Sequence, residues 1–133
     1  MVSKMDNAFA FQEKALGLRA YRQQILAGNI ANADTPHYKA RDFDFSSALK
    51  EAVAGRNSGG VQMATTAKGH LAGNADSGPA RLMYRTPSQA SVDGNTVDMD
   101  IERGQFSENA VQYEAGITFI SHLIKMQMSA TQG

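Results

Sequence analysis

Asp98-Met99-Asp100-Ile101-Glu102-Arg103-Gly104-Gln105-Phe106-Ser107-Glu108-Asn109-Ala110-Val111-Gln112-Tyr113-Glu114-Ala115-Gly116-Ile117-Thr118-Phe119-Ile120-Ser121-His122-Leu123-Ile124-Lys125 is the stretch on which the fold turns. It contains no proline. Phe106, Ala110, Tyr113, Ile117, Ile120 and Ile124 recur in alternating steps of four and three, which is heptad spacing. Phe119, Leu123 and Met126 widen the apolar arc beyond a two-helix seam. Asp98, Asp100 and Glu102 stand at the start, where the helix dipole favours acids. The pattern predicts a long helix from Asp98 or Asp100 to about Ala130. Lys125 is the last charge, so the uncharged tail to Gly133 is expected to be buried in an assembly.

A matching segment lies at the other end of the chain. Residues from about Ser3 to Ala33 hold no proline, and Ser3 with Asp6 has the spacing of a capping box. One apolar row is Met5, Phe9, Leu16, Leu26 and Ile30; a second is Phe11, Leu18 and Ile25. At about 100° per residue the rows fall on nearly opposite sides of a helix. Two stripes call for partners on two sides, and a 133-residue chain is too small to bury such a helix all round. Pro36, which disfavours helical geometry before it, predicts a stop at Asp34-Thr35-Pro36.

Between these segments the composition changes. The middle is rich in Gly, Ala, Ser, Asn and Thr, too little apolar surface to offset its ordering entropy. Tyr38 to Phe45 reads as extended, with Phe43 and Phe45 on one side. Residues 46–54 read as a short helix ended by Gly55, Arg81 to Arg85 as a short strand, and 55–80 as disordered. Asp93-Gly94-Asn95 is a turn signal, with Val92 and Val97 as flanking strand residues. The expected fold is therefore mainly α. Long N- and C-terminal helices pair as a coiled-coil-like rod domain around a loosely structured middle with short β or extended segments. The expected division is 1–36, an N-terminal assembly helix; 37–97, an extended and flexible middle; and 98–133, a C-terminal assembly helix.

Zero formal net charge argues against a nucleic-acid-coating protein and against a polybasic membrane anchor. With no cysteine there is neither a disulfide framework nor a thiolate metal site. No segment approaches the roughly 20 apolar residues of a membrane span, and the N-terminus lacks the apolar core of a cleavable signal. His37, His70 and His122 are not at metal-binding spacing. The acids around Asp93 to Glu102 fail the EF-hand pattern, because Gly94 and Val97 occupy the wrong places. No nucleophile elbow or phosphate loop is present. The chain reads as a non-enzyme without cofactor, metal or catalytic residues.

Ala27-Gly28-Asn29-Ile30-Ala31-Asn32-Ala33-Asp34-Thr35-Pro36-His37-Tyr38-Lys39 resembles the signature of the flagellar basal body rod and hook proteins, in which an Asn-rich helix end runs into Thr-Pro-Gly-Tyr. Tyr84-Arg85-Thr86-Pro87 and the stretch Asp93 to Arg103 look like the proximal rod protein of that family, as do Phe11 to Leu16 and Arg19. His37 stands where the family usually has Gly, and Gly28 where Ala or Asn is more usual. The resemblance implies a structural subunit of the proximal rod, needed for flagellum assembly and motility. It implies location in the periplasmic rod of the basal body and export through the flagellar type III apparatus without a cleavable signal. The implied partners are other rod subunits, further copies of itself, and the rod base near the MS ring, with no direct membrane insertion.

The residues expected to carry assembly are Phe9, Phe11, Leu16, Leu18, Ile25, Leu26 and Ile30 on the first helix. On the last they are Phe106, Tyr113, Ile117, Phe119, Ile120, Leu123 and Ile124. The family motif contributes Asn29, Asn32, Thr35, Pro36 and Tyr38; the turn and helix start contribute Asp93, Gly94, Asn95, Asp98 and Asp100. Asn29 and Asn32 serve either contacts between subunits or local capping. A helical binding module or export-linked adaptor with one client is the alternative, and an enzyme acting on the cell wall a third reading with no carboxylate pair to support it.

Overall fold

A computed structural model describes residues 3–55 and 78–133. Five elements follow in order: α1 (Lys4–Ala31), β1 (Arg41–Asp42), α2 (Phe45–Val53), β2 (Met83–Tyr84) and α3 (Met99–Gln132). The disorder expected over 55–80 falls mostly outside the described residues.

Capping chemistry sets the helix starts. The Ser3 side chain accepts from the Asp6 amide and Asp6 from the Ser3 amide, a complete capping box. Asp98 caps α3 by accepting from the Asp100 and Ile101 amides. Asp44 caps α2, so Phe45 opens that helix one residue before the expected start and does not sit on a strand beside Phe43. Gly55, at φ 72°, follows the end of α2 as expected.

α1 ends earlier than Pro36 alone would dictate. Asn32 closes it: its amide and its side-chain Nδ2 both donate to the Gly28 carbonyl, at 3.1 and 2.8 Å. The two strands form one antiparallel pair, Arg41 opposite Tyr84 and Asp42 opposite Met83. Val92 and Val97 do not flank a hairpin, and Val92 is fully exposed.

α1 and α3 pack antiparallel along most of their length. Leu16 lies against Gly116, Arg19 and Gln23 against Asn109, and Asn29 against Glu102. The buried residues of α3 are Glu102, Asn109, Gly116 and Leu123, seven apart. With half-buried Phe106, Tyr113 and Ile120 they form a heptad seam. This seam is rotated from the expected one: Ile117 and Ile124 lie outside it and are 39% and 45% exposed. The centre line is polar or small, because Asn109 and Glu102 find partners on α1 and Gly116 admits the Leu16 side chain.

The opposite side of α1 is covered by the chain's own middle. Leu18, Phe43, Ala48 and Ala80 form a buried cluster, edged by Tyr21, Phe45, Leu49, Ala52 and Leu82. Tyr21 stacks on Phe43 at 5.6 Å between ring centroids. The second α1 stripe was expected to remain open in a single molecule, but Leu18 is only 3% exposed. Residues far apart in sequence supply the cover. Phe11, on the same stripe, stays open at 47%.

Candidate assembly surface and its polar clamp

The family motif and the turn meet at the closed end of the helix pair. Asn29, fully buried, donates from Nδ2 to the Arg41 carbonyl (2.7 Å) and to Glu102 Oε2 (3.1 Å). Its Oδ1 accepts from the Arg41 amide (3.0 Å) and the Tyr38 hydroxyl (3.3 Å). Both donors and both lone pairs of the amide are thus used within the chain. Thr35 donates to Asn32 Oδ1 at 3.1 Å.

Asn95 serves the same end from the other side. Its Nδ2 donates to the carbonyls of Asn32, Ala33 and Thr35, at 3.0, 2.8 and 2.7 Å. The Asn32 and Thr35 carbonyls also accept from the Thr35 and Tyr38 amides, so the Asn95 side chain reinforces the turns formed where α1 stops. The Asp93–Asn95 turn is closed locally, with the Asn95 amide donating to Asp93 Oδ1. Backbone bonds then join the His37 amide to the Asp93 carbonyl and the Thr96 amide to the Tyr38 carbonyl, both at 3.0 Å. His37 has φ 61°, a left-handed conformation that glycine adopts at least cost.

An ion cluster completes the clamp. Arg22 donates to Asp42 from Nε (3.2 Å) and Nη2 (3.1 Å), and to Gln105 Oε1 (2.8 Å). Arg85 bridges Asp42 Oδ2, at 2.7 Å, and Glu102 Oε1. Two guanidiniums balance two carboxylates across α1, β1, α3 and the segment after β2. Burial raises the Glu102 carboxyl above its ordinary range, against the lowering effect of the Asn29 bond and the Arg85 charge. Burial also pushes Asp42 upward, but bonds from Arg22, the Phe43 amide and Arg85 together hold it below its ordinary value. Among the described residues no buried side-chain nitrogen or oxygen lacks a partner. This polar chemistry is spent on holding the chain together.

The expected assembly residues fall into two sets. Leu18, Leu26 and Leu123 are buried within one molecule. Phe9, Leu16, Ile25, Ile30, Phe106, Tyr113 and Ile120 are half-buried. Phe11, Ile117, Phe119 and Ile124 are exposed, joined by Val111, Met126 and Met128. Pro36, Asp93 and Asp100 are exposed at the clamp, and Gly94 and Asp98 half-buried. Arg22 and Asp42 were not singled out from the sequence, and Glu102 and Arg85 stood out only as an acid at a helix start and as part of a family-like stretch, not as an ion cluster. Their signal was an arginine and a glutamate at positions that turn inward on the two long helices, visible only once the pairing register is known.

Among the described residues no helix is long and apolar enough to cross a membrane, and no three His, Cys, Asp or Glu side chains gather as a metal set. A long antiparallel helix pair, clamped at one end and carrying uncovered apolar side chains, defines a structural assembly subunit. Comparison with known proteins gives the particular kind. The model of the family "Flagella basal body rod protein" matches residues 9–39. The flagellar basal body rod protein FlgB of Salmonella typhimurium is 52% identical over all of this chain and 99% of its own length. The FlgB proteins of Escherichia coli and Proteus mirabilis are 50% and 47% identical, each over 99% of this chain and 98% of their own. The chain belongs to the FlgB family of flagellar basal body rod proteins. It is a structural subunit of the proximal rod in the flagellar basal body, its partners are other rod subunits, and it is not an enzyme.

Proposed function

We propose that the chain polymerises through the outer faces of the α1–α3 pair. Exposed Phe11, Ile117, Phe119, Ile124, Met126 and Met128 meet side chains of neighbouring subunits, while the clamp keeps the pair in one register. The observation that carries this reading is the set of large apolar side chains left open on two flanks of α3, Ile117, Ile124 and Met128 on one and Phe119 and Met126 on the other, after the molecule has folded. Clustered exposed apolar side chains of this kind usually mark an interface. Unlike faces meeting head to tail without ring closure give a helical filament. In this reading 1–36 and 98–133 serve assembly, with 37–97 between them. Further copies of the chain and the rod base near the MS ring are the immediate contacts, and the type III apparatus exports it to the periplasmic rod without signal cleavage.

Substitution separates assembly from folding. Ile117→Asp and Phe119→Asp place a charge where the single molecule is open, so the isolated proteins keep their circular dichroism melts. In a neighbour's apolar contact the same charge is costly, so the variants are absent from purified basal bodies and the cells do not swim. Motile Ile117→Asp and Phe119→Asp cells would contradict the reading. Leu18→Asp is not a test of assembly, since it strikes the internal cluster.

A further inference from the structure

A groove of about 440 Å³ runs along the α2 side of the helix pair, with Phe11, Ala15, Leu16, Phe45, Leu49 and Phe119 among its walls. Arg19 lies in it with its guanidinium 3.8 Å from the centre of the Phe45 ring. Among the described residues the ion pairs use Arg22 and Arg85, and no carboxylate lies within bonding distance of Arg19. Among the described residues its guanidinium makes a single, long hydrogen bond, from Nη1 to Asn109 Oδ1 at 3.4 Å. A guanidinium has five N–H donors in a planar fork. Stacking on a ring occupies its face and leaves its edge free for a carboxylate. The groove is therefore mainly apolar along its walls, with Gln12 and Gln112 among them, and cationic at one point, where Glu108 acts on Arg19 through space without forming an ion pair.

We propose that this groove receives an apolar helix from a neighbouring rod subunit, carrying one Asp or Glu that forms a forked pair with Arg19. The proposal rests on the assembly reading above and adds the chemistry of one contact. A carboxylate at the guanidinium edge supplies the direct pair that Glu108 does not make, and a charge-assisted forked pair fixes both register and orientation. Phe45 and Leu49 give α2 a part in recognition, as one wall of the site.

The test uses cells lacking their own copy, complemented with the full chain, and reads the protein recovered in purified basal bodies. Wild-type recovery establishes rod membership independently; its absence would sink the assembly reading itself. Arg19→Met keeps the stacked apolar stem and removes the charge, and is expected to lower recovery about tenfold or more. Arg19→Lys keeps a charge without the fork and is expected to fall between. Ala115→Trp fills the groove from an exposed α3 position and leaves the Arg19 charge in place, and is expected to abolish recovery with an unchanged melt. Motile revertants of Arg19→Glu should exchange an acidic residue of a rod subunit for Lys or Arg. Wild-type recovery of folded Arg19→Met or of folded Ala115→Trp overturns the proposal. If Arg19→Met fails to fold, Ala115→Trp alone decides.

Discussion

At the residue scale the clamp depends on a few side chains with no spare bonding capacity. Asn95 is the clearest case, since one amide nitrogen serves three backbone carbonyls. Asn95→Asp keeps the shape but sets a carboxylate against those oxygens. It should lower the unfolding free energy by about 2–3 kcal/mol, read from urea titration. His37 offers the reverse. Its φ of 61° costs a side chain about 1 kcal/mol, and glycine also loosens the unfolded chain, so His37→Gly should gain roughly 0.5 kcal/mol. A Cβ on Gly94 would come within 2.8 Å of the His37 ring, so Gly94→Ala should be destabilising. The double variant should regain the clash part and keep the strain of alanine at φ 75°. Equal losses with and without His37 would place the penalty wholly in the backbone.

The same scale holds the pH dependence. Asp42 titrates below its ordinary value of 3.8 in the folded chain. Its contribution is present above that value and lost as pH falls toward the folded one. Glu102 titrates above its ordinary 4.5, so its contribution is full below 4.5 and declines as pH rises through the folded value. The two carboxyls of one cluster thus pull stability in opposite directions. Asp42→Asn should flatten the acid limb of a plot of urea midpoint against pH, and Glu102→Gln the decline above 4.5. An unchanged acid limb in Asp42→Asn would remove Asp42 from the account.

At the scale of elements, the two long helices were legible because their signals are local. Ser3, Asp98 and the apolar periodicity each act within a few residues, and all three did what their chemistry requires. The periodicity of the greasy residues alone points to a seam rotated from the one the helices use. In this pair Glu102, Asn109 and Gly116 occupy the centre line, stabilised by Asn29, Gln23 and Leu16 from the other helix. A polar residue can hold a seam only if its partner is opposite, and that partner lies about 70 to 100 residues away. The covering of Leu18 was hidden for a like reason, since Phe43, Ala48 and Ala80 meet it only after the middle folds back. Of the candidate site, the motif asparagines were legible as special, but sequence left their role divided between capping and subunit contact. The bonds of Asn29 place it inside the molecule. Gly116 gives a prediction at this scale. A Cβ there would lie 2.7 Å from Leu16 Cδ2, the movable end of a side chain. Gly116→Ala should be nearly neutral, as helix propensity offsets the displacement. Gly116→Leu should cost about 1–3 kcal/mol by forcing the helices apart.

Over the whole molecule, the buried ion cluster and the most open apolar stretch of α3 lie toward different ends of one helix pair. The clamp gathers the buried ions, the motif and the turn at one end. Toward the other end α3 runs on, and every residue from Ile124 to Gly133 is exposed. Met126 and Met128 are 47% and 53% open, with no charge after Lys125 to favour water. Such a tail adds little to the folded single chain, because it buries little of its own surface. Removing residues 126–133 should therefore shift the melting temperature of the isolated protein by only a few degrees. The shortened chain should still be exported, yet be missing from purified basal bodies, because the neighbour that would cover those methionines has lost its contact. A large drop in melting temperature would show instead that the tail is packed within the molecule. Normal motility would mean that neighbours are gripped elsewhere along the pair.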